Sequence, residues 1–350
     1  MSRREADGLV AELGVAQAAS RCGVAGALFT YGCSIRCRHC LFGCASGRSE
    51  AVMTPQQCSV VLGMLHATGR VVHVAGGEPM VFWEKLAESV RLSNRYGTAP
   101  HFVETNCSFA SSDEIVERRL RFLAAHGVRG IYASADPYHQ EFVPPENFLR
   151  VRRITREVFG KGNFYGSSAE DEAIRDLPRV SADETSLREY VRGHPPGMVG
   201  TAHETLSRYL DRYSPDDPAL PAHGWGGDGD ASTCGRQFAP ESMWEVHVDP
   251  YGNIMTNCGM ILGNLCETTP VEVLEEGPEN ANRFVRCVCE EGARGLAELA
   301  RREYGFEMPD SVTQTCELCY LARRHLRQFH PGVFGPGRIY GEGMGNPNEE

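Results

Sequence analysis

Three cysteines stand close together early in the chain: Cys33, Cys37 and Cys40, within Thr30-Tyr31-Gly32-Cys33-Ser34-Ile35-Arg36-Cys37-Arg38-His39-Cys40. This C-x3-C-x2-C loop presents three soft thiolates, the ligand type that suits iron–sulfur clusters. Three thiolates can hold three irons of a cubane, which leaves the fourth iron open to chelation by a small molecule. Two other readings compete for the triplet: a zinc site with Cys44 as fourth ligand, or buried thiols. A second set lies far along the chain. Cys316-Glu317-Leu318-Cys319 is a C-x2-C, a common arrangement for two ligands of one centre, and Cys234 and Cys258 precede it. Cys266, Cys287 and Cys289 lie in the same region, and any of them is an alternative to Cys234. Zinc competes for this set too. Of the other cysteines, Cys58 falls on the apolar stripe of a helix and reads as core, Cys44 lies close to the first set, and Cys107 ends the third strand.

These residues need elements to position them. Short β-rich runs recur over the first two thirds: Gly26–Tyr31, Val71–Ala75, His101–Thr105, Gly130–Ala135, Asn163–Ser168 and Met198–Ala202. Amphipathic helices lie between them. One opens at Thr54-Pro55 and buries Cys58, Val61, Leu62 and Leu65. Another has a capping box at Ser111 and Glu114 and ends at Gly127; Val151, Ile154 and Val158 mark a third. Such alternation predicts an α/β fold with a parallel sheet, six units making a partial barrel. Chemistry in parallel α/β folds sits at the C-terminal strand ends, and the first cysteine loop follows the first strand. The second strand ends Val74-Ala75-Gly76-Gly77-Glu78-Pro79. Its glycines allow close backbone approach, and Glu78 adds an acceptor for an ammonium group.

With these two loops one unit apart, the sequence resembles the radical S-adenosylmethionine (SAM) superfamily, whose two best-known motifs they are. The resemblance implies a partial (βα)6 TIM-like barrel with a 4Fe-4S cluster on Cys33, Cys37 and Cys40. It implies that SAM binds the open iron through its amino and carboxylate groups, with Gly76, Gly77 and Glu78 meeting the amino group. The residue before the third cysteine, usually aromatic and touching adenine, is here His39, whose imidazole can still stack. Ser134-Ala135-Asp136-Pro137-Tyr138-His139 is similar to the polar segment placed around the SAM ribose. That gives Ser134 and Asp136 to the cofactor and turns Tyr138 and His139 toward the substrate. Thr105-Asn106 and Ser167-Ser168 are candidates of the same kind. The order Cys234, Cys258, Cys316, Cys319 resembles the Twitch domain, the shortened SPASM extension, and implies a second, auxiliary 4Fe-4S cluster in a small Cys-rich β-hairpin and helical domain. An electron donor such as flavodoxin or ferredoxin is implied as well.

The expected organisation is an N-terminal extension (1–25), a radical SAM core (26–213), a Pro/Gly/Asp-rich linker (214–233), an iron–sulfur domain (234–330) and a tail (331–350) with little structure of its own. Trp244–Val248 and Asn253–Thr256 read as a hairpin around Asp249-Pro250-Tyr251-Gly252. The net charge is −11, which disfavours nucleic acid and anionic membranes as partners. No apolar run reaches the ~18 residues that span a bilayer, and the N-terminus lacks a signal-peptide core, so a cytoplasmic location is expected. Only Lys85 and Lys161 are lysines, which leaves few candidates for Schiff-base chemistry. With no added peptide-recognition domain, the substrate expected is a small molecule, cationic or neutral, or a peptide recruited by a separate partner; a ribosomal-peptide maturase of the same superfamily is the alternative. The reaction classes in view are dehydrogenation, crosslinking and epimerisation. The reading from another class is a non-catalytic protein in which both cysteine sets hold structural zinc.

Overall fold

The computed structural model describes residues 1–44, 51–222, 238 and 243–341, so Cys234 lies outside the described residues. Two compact units emerge: Met1–Arg36, Cys44–Leu187 and Glu245–Gly252 form the first, and Cys37–Gly43, Arg188–Trp244 and Asn253–Glu350 the second.

The first unit contains α1 (Arg3–Leu13), α2 (Val15–Cys22), β1 (Val24–Thr30), α3 (Pro55–Ala67), β2 (Val71–Gly76), α4 (Trp83–Arg95) and β3 (Phe102–Thr105). There follow α5 (Asp113–Ala125), β4 (Gly130–Ala133), α6 (Pro137–Gln140), α7 (Pro145–Phe159), β5 (Phe164–Gly166) and α8 (Asp171–Ala182). Its six strands run parallel in the order β5-β4-β3-β2-β1-β6, with β6 (Glu245–Val248) arriving from far along the chain. Parallel neighbours need long crossovers, and helices supply them. Central β1 is buried at every residue, as expected where a strand is covered on both faces. This is the α/β, parallel-sheet architecture of a partial TIM-like barrel.

Local signals explain the helix starts. Thr54 caps α3 and pairs with Gln57 in a capping box, Pro55 takes the first turn, and Cys58, Val61, Leu62 and Leu65 are buried. In α5 the cap is Ser112, accepting from Ile115 N–H, one residue beyond the expected Ser111. The sequence offers two adjacent serines, and the backbone leaves the extended conformation after the second.

The sixth expected strand is not a strand. Met198 and Val199 are buried, but Gly200 has φ +58° and α10 (Thr201–Leu206) starts immediately after it. The Thr201 N–H and hydroxyl bond Cys40 and Cys37 carbonyls at 3.0–3.1 Å, so this backbone holds a loop instead of joining a ladder. The sixth place in the sheet is filled by β6, beside β1. The turn after it forms as expected: Gly252 N–H meets Asp249 C=O at 3.0 Å, Tyr251 N–H meets Asp249 Oδ1 at 2.9 Å, and Gly252 has φ +79°.

The second unit holds most of α9 (Glu184–Gly193), then α10, the antiparallel pair β7 (Asn253–Met255) and β8 (Ile261–Asn264), and the helices α11 (Pro270–Glu276), α12 (Arg283–Tyr304) and α13 (Thr315–Leu326). Gly292 at φ 69° kinks α12. The segment after Pro331 has more structure than its composition suggests. Phe334, Ile339 and Tyr340 are buried, Ile261 N–H bonds Val333 C=O at 2.8 Å, and Tyr320 OH bonds Ile339 C=O at 3.1 Å. Its apolar side chains outweigh its glycines. Among the described residues no helix is long and apolar enough to cross a membrane.

Candidate active site

In the first unit the ends of β1, β2 and β3 are tied to one another. Gly77 N–H bonds Thr30 C=O at 2.7 Å, and Glu78 N–H bonds Gly32 C=O at 2.9 Å. A Cβ on Gly76 would stand 2.3 Å from Thr30 O, and one on Gly77 2.0 Å from Gly32 O. These glycines are therefore required first by the backbone of the cysteine-bearing loop. Exchanging Gly77 for Ala is expected to push that loop aside and lower bound iron by about four per chain; unchanged iron after reconstitution would contradict this.

Glu78 is fully buried. Its carboxylate accepts from Met80 N–H (2.9 Å), Asn106 N–H (2.6 Å) and the Thr105 hydroxyl (3.0 Å to each oxygen). Three of about four acceptor positions are thus filled, which makes Glu78 a tie between β2 and β3. Burial lifts its pKa to about 7, although these hydrogen bonds oppose the rise. A carboxyl raised in the folded state stabilises below pH ~4.5 and loses that contribution as pH climbs through ~7, about 3 kcal/mol in all. Wild type should therefore lose unfolding free energy over that window relative to Glu78→Gln. Parallel profiles of the two by chemical unfolding would contradict the assignment.

Asn106 extends the tie to the first cysteine. Its side-chain amide donates to Cys33 Sγ at 3.4 Å and to Ser34 Oγ at 3.3 Å. Cys107, buried and at φ 65°, turns the chain at this point; αL is uncommon for such a residue. Ser134 N–H bonds Thr105 C=O at 3.1 Å. Asp136 caps α6, accepting from Tyr138 and His139 N–H with one oxygen, and its other oxygen lies 2.6 Å from His139 Nδ1. That contact fixes the ring of His139. Tyr138 is buried. Ahead of the loop, Tyr31 OH bonds Asp249 Oδ2 at 2.9 Å.

Cys37, His39 and Cys40 belong to the second unit. Cys40 N–H closes a turn on Cys37 C=O at 3.2 Å. Thr201 bonds both cysteine carbonyls, and Thr205 Oγ1 bonds Arg38 C=O at 2.6 Å. A Cβ on Gly200 would lie 2.4 Å from Cys40 O.

Residues 27–162 match the family model described as the radical SAM superfamily. The chain carries a radical SAM domain. Among solved structures it is similar to the crystal structure of BtrN in complex with AdoMet and 2-DOIA, at 14% identity, covering 78% of this chain and 89% of that one with a TM-score of 0.42. No curated protein matches the chain.

A radical SAM domain implies a 4Fe-4S cluster and SAM. The donor set in and beside the matched residues 27–162 fits that group. Cys33 Sγ already receives an amide N–H, the kind of outer contact that supports a metal-bound thiolate, and the backbone around Cys37 and Cys40 is held by threonine hydroxyls.

The described cysteines of the second set, Cys258, Cys316 and Cys319, lie in the second unit. Burial, then Cys319 and Cys258, push the Cys316 thiol up to about 12; burial also raises Cys319, with Cys258 adding to the rise. The three thiols thus stand in one another's fields. Cys287 joins them: burial and Glu291, then Cys319, lift it to about 11. Cys289 is raised by burial and by Glu279 and Glu290, with no thiol involved, and Cys266 is exposed. Among the described alternatives to Cys234, Cys287 is therefore the one placed with this set.

A feature missed at the level of sequence sits beside these thiols. Arg323 is fully buried; its Nη1 donates to Tyr340 OH at 2.9 Å and to Cys258 C=O. Burial opposes its charge, but Tyr340, Cys319 and Cys258 hold its pKa well above the ordinary value. The signal was present as an arginine four residues after Cys319, on the same helix face. Glu317, inside the C-x2-C, is buried too and accepts from Thr313 N–H and hydroxyl at 2.6 and 2.7 Å, which fixes the start of α13.

Proposed function

We propose that this chain is a radical SAM oxidoreductase acting on a small molecule in natural-product biosynthesis, with Cys33, Cys37 and Cys40 as ligands of the SAM-binding cluster. When bound and reduced, that cluster supplies the electron that cleaves SAM and so gives the 5′-deoxyadenosyl radical that takes a hydrogen atom from substrate. The observation that carries the reading is the match over residues 27–162 together with the tie from the Gly76-Gly77-Glu78 turn to the Cys33 loop. In this reading Gly77 and Glu78 hold the cysteine loop, and Asn106 supports the Cys33 thiolate. Gly76, Ser134 and Asp136 lie on the cofactor side, and His39 stacks on adenine. Tyr138 and His139 face the substrate, with His139 oriented by Asp136. Cys258, Cys316 and Cys319 hold an auxiliary 4Fe-4S cluster in a Twitch-like domain with Cys234 as fourth ligand. That cluster is suited to accept the second electron of a dehydrogenation or crosslinking. The electron donor is a flavodoxin or ferredoxin.

The buried Arg323 guanidinium favours a bound anionic centre over neutral thiols at the second set, because buried charges are paired. Metal analysis tests the reading. Protein reconstituted anaerobically is expected to be brown and to bind about eight irons per chain. Colourless protein rich in zinc would overturn it in favour of a structural zinc protein.

A further inference from the structure

One face of the first unit's sheet holds a group of side chains to which the proposed function gives no role. Gly26 on β1 is registered against His73 on β2 and against His247 on β6. A Cβ on Gly26 would lie 2.4 Å from His73 Nε2 and 2.8 Å from His247 Nε2, so this glycine lets two imidazoles converge over the strand between them. Glu245, two residues before His247 and therefore on the same face, completes the group. Its Oε1 lies 2.8 Å from His73 Nε2 and 2.9 Å from His247 Nε2. One ligand atom from each of His73, Glu245 and His247 falls within 4.8 Å of the other two. Both imidazoles are buried.

We propose that His73, Glu245 and His247 form a binding site for a divalent first-row transition ion, separate from both cysteine sets. Two imidazoles and a carboxylate are a donor set for zinc or ferrous iron, and three protein ligands leave coordination positions for an oxygen- or nitrogen-bearing small molecule. A fourth side chain acts in support. Glu104 Oε1 lies 3.0 Å from His73 Nδ1, which holds the ring so that Nε2 faces the other ligands, as carboxylates do behind metal-bound histidines. The other His/carboxylate group of this unit, Asp7, His66 and His101, differs in this respect. His101 Nδ1 there accepts Val72 N–H at 2.8 Å, so its Nε2 carries the proton and donates it to Asp7 Oδ1 at 2.8 Å.

The test uses full-length protein with its cysteines loaded with iron and sulfide, incubated with Zn(II) and exchanged into metal-free buffer. The site predicts about one retained zinc per chain, with nitrogen and oxygen but no sulfur in its X-ray absorption first shell. His247→Ala and Gly26→Ala should each lose that zinc at least tenfold while iron stays constant. No retained zinc in the wild type, sulfur in its first shell, or zinc kept by His247→Ala would overturn the proposal. Should a variant fail to fold, the wild-type count and spectrum decide alone. Iron content and deoxyadenosine formation report separately on the radical SAM reading, so either can fail without the other.

Discussion

Exchanging any one of Cys33, Cys37 and Cys40 for Ala is expected to abolish deoxyadenosine formation and to lower bound iron by about four per chain, leaving the second cluster filled. The expectation follows from the arithmetic of the loop. In the proposed reading three thiolates would hold three irons, so no spare ligand in the C-x3-C-x2-C loop would replace a missing one, and the cluster would not survive the loss. Cys44 is the nearest substitute in sequence and is buried. A structural zinc site built on the same loop behaves differently: losing a ligand costs metal affinity, but there is no SAM turnover to lose. Asn106→Ala probes the same thiolate from outside. Loss of the amide that donates to Cys33 Sγ should weaken cluster binding or turnover roughly 10–100-fold, measured as iron retained under chelator and as deoxyadenosine rate.

Arg323→Met separates metal-bound thiolates from thiols at the second set by the sign of its effect. Among the described residues no carboxylate pairs with the Arg323 guanidinium; the groups that raise its pKa are Tyr340, Cys319 and Cys258. If the cysteines carry protons, the guanidinium is a buried charge without a counter-ion, and an apolar side chain of similar length relieves that cost. If they are thiolates on a cluster, removing the cation leaves buried anionic charge uncompensated and costs ~3–5 kcal/mol. The expected outcome is the second: a lower unfolding free energy, and loss of about four irons from the auxiliary site with the first cluster retained. Stabilisation of the reconstituted protein with unchanged iron would contradict an auxiliary cluster on Cys258, Cys316 and Cys319.

Legibility in the sequence followed how local each signal was. Five of the sheet's strands and the start of α3 were readable because strand–helix alternation and the Thr54-Pro55 cap act over a few residues. Met198–Ala202 misled because Met198 and Val199 are apolar for burial alone, while Gly200 and Thr201 serve the cysteine loop, a partner some 160 residues away. That β6 completes the parallel sheet next to β1 was equally hidden, since pairing across such a separation leaves no mark in the pattern of either strand. The glycines after β2 also answer to a partner the sequence does not reveal, because a Cβ on Gly76 or Gly77 would meet Thr30 or Gly32 backbone. Arg323 had a local signal in its i, i+4 spacing from Cys319, whereas the convergence of His73 and His247 over Gly26 depends on register and tertiary packing and has no spacing to read.

SAM turnover by the wild-type protein tests the central claim most directly. Anaerobically reconstituted chain, mixed with SAM and a strong reductant, is predicted to yield 5′-deoxyadenosine and methionine in equal amounts. SAM recovered intact from protein with its full iron complement would contradict the account.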